Sequence, residues 1–156
     1  MPPFPASPAM ARALAEARDA ATRGEVPVGA VITAADGRIL AAAGNRTLAL
    51  SDPTAHAELL AIRAACASLG SPRLPGTTLH VTLEPCPMCA AAISQARIAT
   101  LVYGASDPKS GGVEQGPRVF SHPQSHHLPQ VIAGVGETEA AALLKSFFAG
   151  LRAAPR

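Results

Sequence analysis

Residues 78–93 read TLHVTLEPCPMCAAAI, and how that stretch divides decides the fold. Its first part, LHVTL at 79–83, is rich in β-branched and apolar residues and reads as a strand. Pro85 interrupts it, and Pro87 suits the first position of a helix running from 87 to 95. IATLVYG at 98–104 is a second strand. Strand, helix and strand in that order imply a crossover, which packs a helix on the face of a sheet.

Upstream, Asp52 and Pro53 have the form of an N-cap followed by a first helical residue, and 55–69 has no breaker before Gly70. Residues 26–33 and 39–43 flank the turn Ala35-Asp36-Gly37 and make a hairpin. Met10, Leu14, Ala17 and Ala21 recur at helical spacing within 8–22. Residues 105–129 carry no clear period, and a connection of that length points to a functional loop. A short strand at 131–134 and a helix at 137–151, with Ala141, Leu144, Phe148 and Leu151 along one side, close the chain. The expectation is a three-layer α/β/α sandwich around a central mixed sheet of five strands. It forms one domain over 1–156, with a loose start at 1–8.

Composition narrows the function. Charged residues are 15% of the chain and hydrophobic ones 48%. A typical soluble domain carries roughly 25% charge, so part of this surface is expected to pack against a copy of itself, as a homodimer. The formal charge is +2 without a basic run, which speaks against a backbone-tracking nucleic-acid protein. The start MPPFPASPAM lacks the form of a signal peptide, and no segment reaches the ~18 apolar residues of a membrane span. Three cysteines, two of them in one CxxC, suit a reducing, cytoplasmic location.

The chemistry lies in His56 and Glu58, at the start of one helix, and Cys86 and Cys89, at the start of another. Helices that follow strands direct their N-terminal ends to one crevice of an open sheet. One imidazole and two thiolates suit Zn²⁺ and leave a fourth position for water, as in a catalytic site. Glu58 is long enough to reach that water and shuttle its proton. A redox CxxC would leave His56 and Glu58 without a role. A structural zinc would need a fourth ligand, for which His80, His122, His126 and His127 are the candidates. Cys66 and the phenylalanines 120, 147 and 148 read as packing residues, and Asn45, beyond the second strand, as a residue able to meet a heterocycle edge.

PVGAV at 27–31, GNR at 44–46, DPTAHAE at 52–58, the 78–93 stretch and YGASDPKSGG at 103–112 together resemble the cytidine deaminase-like superfamily. The likeness is to its bacterial branch of tRNA-specific adenosine deaminases and guanine and cytosine deaminases, and it runs from about residue 9 to 151. It implies one catalytic zinc per chain on His56, Cys86 and Cys89, with Glu58 as acid and base. It also implies Asn45 and backbone groups of Val28, Gly29, Ala30, Leu83 and Glu84 around the base and the water, and a dimer or tetramer.

The chain departs from the tRNA enzymes at His126-His127, where they typically have Asn-His, and at GVEQGPRVF, 112–120, which introduces Glu114 and Arg118. Its basic tail is reduced to Arg152 and Arg156. The activity expected is hydrolytic conversion of an exocyclic ring amine to a carbonyl with release of ammonia. The substrate expected is a free nucleobase or similar small amino-heterocycle, with specificity from Glu114, Arg118, His126 or His127. The alternatives are adenosine-to-inosine conversion at the wobble position of tRNA, and a non-catalytic zinc-stabilised interaction domain.

Overall fold

The computed structural model describes residues 5–154. The elements, in order, are α1 (Pro8–Thr22), β1 (Gly29–Thr33), β2 (Ile39–Gly44), α2 (Ala57–Leu69), β3 (Thr78–Leu83), α3 (Pro87–Gln95), β4 (Thr100–Ala105), a 3₁₀ turn (Val119–Ser121), β5 (Gln130–Ala133) and α4 (Glu137–Ala153). The five strands form one sheet in the order β2-β1-β3-β4-β5. β1 is antiparallel to both its neighbours, whereas β3, β4 and β5 run parallel. The mixed sheet of an α/β/α sandwich is therefore present. Among the described residues no helix is long and apolar enough to cross a membrane.

Each face of the sheet has its own core. Ile32, Leu79, Val81 and Leu101 pack with Ala57, Ala61, Ala65, Ala90 and Ile93 from α2 and α3. On the other face Val31 and Val102 meet Met10, Ala13 and Leu14 of α1 and Ala140 of α4. Small residues let α1 lie very close to the sheet: a Cβ on Gly29 would stand 1.8 Å from the Ala13 carbonyl oxygen.

Two helices begin and end as their caps dictate. The Ser7 hydroxyl accepts from the Met10 N–H at 3.2 Å and Pro8 opens α1, so of the expected loose start only 1–4 lie outside the described residues. Gly70, with φ +63°, closes α2 in the left-handed conformation.

Two expectations need correction. α2 starts at Ala57, with His56 as its N-cap, and not at Pro53. Asp52 caps a tight turn instead, its Oδ1 accepting from the Thr54 N–H at 2.8 Å and the Thr54 hydroxyl at 2.7 Å. On α4 the buried stripe is Ala140 with Leu143 beside it, one position earlier than the sequence suggested. Ala141 is exposed, as are Phe148 (41%) and Leu151 (56%). Phe148 meets Phe147 edge-on at 5.4 Å.

Candidate active site

The starts of α2 and α3 converge at the carboxyl end of β3. His56 and Cys86 are the N-caps of these two helices, yet neither side chain makes a capping hydrogen bond. Both turn toward each other instead. His56 Nδ1 lies 3.6 Å from Cys86 Sγ and 3.5 Å from Cys89 Sγ. The three ligand atoms all fall within 4.8 Å of one another, and among the described residues that group has three members. His80, His122, His126 and His127 do not join it.

These distances fit a metal. A tetrahedral Zn²⁺ with Zn–S of about 2.3 Å and Zn–N of about 2.0–2.1 Å sets sulfur and nitrogen ligands roughly 3.6 Å apart. The electrostatics agree with a cation. The Cys86 thiol is pushed down to about 4, first because Cys89 donates to it and also because His56 does. Cys89 moves up, first because its thiol donates to the Cys86 thiolate and next because it is buried, with the charges of Glu58 and Cys86 adding to both. The Cys86 thiolate in turn raises His56. A cation held at the centre would let both sulfurs be thiolates.

Glu58, the second residue of α2, is 4% exposed, and burial raises its pKa against the opposing pull of the Cys89 hydrogen bond and of His56. It lines the cavity that ends at this cluster, of about 220 Å³, together with His56, Cys86, Val28 and Leu83. Asn45, Thr47, Asp107 and Ser110 line it as well. Asn45 Oδ1 accepts from the Ala57 N–H at 2.8 Å, and its Nδ2 donates to the Val26 carbonyl at 3.1 Å. The side chain that lines the cavity therefore also fixes the start of the helix carrying Glu58.

Other expected site residues lie elsewhere. Gly29 donates its N–H to the Thr82 hydroxyl, and Ala30 is fully buried between β2 and β3; of the three residues 28–30 only Val28 lines the cavity. Glu84 borders it, but its N–H bonds the Ala105 carbonyl and its carboxylate turns into the 106–115 segment. None of the four specificity candidates reaches the cavity. Glu114 accepts from the Tyr103 hydroxyl at 2.6 Å, and the Arg118 Nε–H donates to the Glu114 carbonyl. His127 Nε2 lies 2.7 Å from the Ile98 carbonyl, and His126 is exposed in a separate small cleft beside Gln95 and Arg97.

Two features escaped the sequence reading. Glu25, 1% exposed, accepts from the Thr47 hydroxyl and the N–H groups of Leu48 and Ala49, holding the loop that follows Asn45. Lys109 and Arg152 border a shallow cleft that adjoins the cavity and shares Asp107 and Ser110 with it, along with Leu144 and Phe148. No local motif announces the Glu25 contacts, and Lys109, within YGASDPKSGG, meets Arg152 only through the fold.

Glu25 gives a test of the scaffold. Burial raises its pKa, but the Leu48 and Ala49 N–H groups, Thr47 and nearby Arg23 outweigh it, so the net shift is downward. A folded pKa below the unfolded value of about 4.3 means stability that is present above that pH and lost as pH falls through the folded value. Glu25→Gln is expected to cost about 1–3 kcal/mol at pH 7 by turning an amide against backbone donors. Its deficit against wild type in thermal melts should shrink below about pH 4; an equal deficit at pH 7 and pH 3.5 would refute this role.

An α/β/α sandwich with a histidine, two cysteines and a buried glutamate gathered at adjacent helix starts is the arrangement of a zinc-type deaminase. The chain belongs to the cytidine and deoxycytidylate deaminase family, whose zinc-binding region matches residues 5–105. It is 59% identical over 139 residues to the tRNA-specific adenosine deaminase of Agrobacterium fabrum, covering 89% of this chain and 91% of that one. The tRNA-specific adenosine deaminase of Bacillus subtilis is 43% identical, with 92% and 88% covered. A tRNA(Ile)-lysidine synthase of Deinococcus deserti is 49% identical, but the chain spans only 27% of its length. Among solved structures, one from a study of A-to-I editing by tRNA:A34 deaminases at the wobble position superposes with a TM-score of 0.86 at 59% identity, covering 87% of this chain and 98% of that one. A guanine deaminase from Bacillus subtilis gives 0.61 at 31% identity, covering 95% and 94%.

Proposed function

We propose that the protein is a zinc-dependent tRNA adenosine deaminase that converts adenosine to inosine at the anticodon wobble position, acting as a homodimer. What carries the chemistry is the buried Glu58 carboxylate at the floor of the cavity, beside three side chains spaced for zinc. At about 220 Å³ the cavity is smaller than the ~300–1,000 Å³ of ordinary ligand pockets. It suits a single flipped base.

Zinc held by His56, Cys86 and Cys89 would supply an activated water at neutral pH. Glu58 holds the proton taken from that water and delivers it to the ring nitrogen next to the amine; it then takes the proton of the hydroxyl added to the ring carbon and passes it to the leaving amine, so that ammonia departs and a ring carbonyl remains. Its raised pKa suits a group that must both accept and give. Val28 and Leu83 offer apolar faces to the ring, and Asn45 keeps one amide hydrogen and one lone pair for its edge.

The preference for a free base yields here to the RNA alternative. Its grounds are the net charge, the thin basic tail of Arg152 and Arg156, and Glu114, Arg118, His126 and His127, and none of these last four lines the cavity. The near full-length likeness to the Agrobacterium enzyme favours RNA. So does the mouth of the cavity, where Lys109, Arg152 and the exposed Phe148 combine charge for phosphate with a ring for base stacking. For the dimer, the groove between α2 and α3, lined by Leu59, Ile62 and Ala92 with Arg63, Arg73 and Arg97, offers an apolar surface with a basic border.

The test is ammonia release from an adenosine-containing anticodon stem-loop, set against adenine, guanine, cytosine and their nucleosides, with sedimentation of the active species. The stem-loop alone should react, at close to one zinc per chain and two chains per particle. Each of Lys109→Ala and Arg152→Ala should lower the salt slope of binding by about 0.7. Turnover of a free base with the stem-loop inert would restore the small-molecule reading, and a monomeric active species would remove the dimer.

A further inference from the structure

We infer that Glu84 is a positioning residue whose buried carboxylate gathers the 106–115 segment and thereby holds the cavity wall formed by Asp107 and Ser110 against the metal-binding turn. This rests on the cavity being the substrate site. Glu84 is 2% exposed, and no cation is paired with it among the described residues. Its five partners all come from one segment. Oε1 accepts from the Asp107 N–H at 3.0 Å and the Ser106 hydroxyl at 3.3 Å. Oε2 accepts from the N–H groups of Val113, Glu114 and Gln115 at 3.2, 2.9 and 3.0 Å.

The segment closes around the carboxylate as a ring. Asp107 and Ser110 stand on its cavity side, while the Gly112 N–H donates to the Pro85 carbonyl at 2.8 Å, one residue from Cys86. Two glycines make the approach possible: a Cβ on Gly111 would lie 2.7 Å from Glu84 Cδ, and one on Gly112 would lie 2.5 Å from the Pro87 nitrogen. The whole 106–129 connection holds only a three-residue 3₁₀ turn as regular structure. Within it Asp107 Oδ1 accepts from the Lys109 and Ser110 N–H groups at 3.2 and 3.0 Å, a local turn whose placement against the cavity depends on Glu84. Burying an acidic group without a cation is costly unless backbone donors replace water, and here they do so by tying the wall to the residue two before a candidate metal ligand.

Glu84→Gln separates positioning from simple structural support. The amide has a single acceptor oxygen, so its NH₂ must face one set of donors. Facing 113–115 it would oppose three N–H groups; facing the other way it opposes only the Asp107 N–H, since the Ser106 hydroxyl can rotate to accept. The variant should therefore release the Asp107 end and keep the rest.

On zinc-loaded protein, Glu84→Gln should retain wild-type zinc. Hydrogen exchange of the Asp107, Lys109 and Ser110 amides should quicken tenfold or more, with β3 and β4 amides unchanged. With the anticodon stem-loop, kcat/KM should fall tenfold or more, mostly through KM. Gly111→Ala attacks the same contact from the loop side and should produce the same KM rise, which keeps the test available if Glu84→Gln folds poorly. Unchanged exchange at 107–110, or kcat and KM per zinc-loaded site equal to wild type, overturns the inference. If wild type acts on a free base and not the stem-loop, the substrate proposal fails, while Glu84 is judged on the KM for that base.

Discussion

Glu58→Gln is expected to abolish nearly all turnover, by roughly 10²–10⁴-fold in kcat, while binding as much zinc as wild type and melting no lower. The three parts follow from one placement. Glu58 lies outside the group of three ligand atoms that share a 4.8 Å neighbourhood, so replacing it leaves the donor set for zinc intact. A glutamine cannot take up and return a proton, so the step that needs proton transfer loses its carrier. The side chain is 4% exposed, and burial disfavours its charged form. An isosteric neutral amide removes that cost rather than adding one. Metal analysis, a melt and single-turnover kinetics on the same preparation decide the matter. Zinc lost in step with activity would make Glu58 a support for the metal and not the proton carrier.

The motifs around this site were legible because each is local. His-x-Glu and Cys-x-x-Cys each span one helical turn, and Pro87 marks where the second helix begins. Their meeting needed only the crossover order of strand and helix. The start of α2 was misread because Asp52-Pro53 has the chemistry of a cap, and a turn uses the same chemistry. On α4 the largest apolar residues suggested the buried side, yet contact with the sheet is made by small Ala140. Phe148 and Leu151 remain exposed instead.

What the sequence could not disclose depends on backbone atoms and on distance. The donors to Glu25 are the Thr47 hydroxyl and main-chain N–H groups 23 and 24 residues away, and those to Glu84 lie 22 to 31 residues away. A main-chain donor leaves no mark in residue type. The basic mouth escaped for a related reason: Lys109 and Arg152 share one cleft but are far apart in the chain, and a whole-chain charge of +2 averages them away.

Gly29→Ala should be among the most destabilising single substitutions in the chain, although the family resemblance suggested Gly29 for its backbone near the substrate. The added methyl carbon would stand 1.8 Å from the Ala13 carbonyl oxygen, 2.7 Å from the Ala17 nitrogen and 2.9 Å from the Ala13 carbonyl carbon. All three are main-chain atoms of α1, so no side-chain rotation relieves the clash. The helix must move away from β1, and Met10, Ala13, Leu14, Ala17 and Ala20, all buried on that side, move with it. Overpacking of this kind costs about 1–3 kcal/mol and occasionally more; a rigid backbone contact belongs at the upper end. For a chain of this size about 3 kcal/mol lowers the midpoint by roughly 6–12 °C, a large part of the ~5–15 kcal/mol that holds a domain together. Gly150→Ala supplies the contrast, since it lies in α4 with nothing within 4 Å of its added carbon. Helix propensity there should raise stability by roughly 0.5–1 kcal/mol. Denaturant melts of the two variants would separate close packing from backbone freedom as the reason for glycine at position 29. A Gly29→Ala protein as stable as wild type would mean that α1 lies farther from the sheet than described.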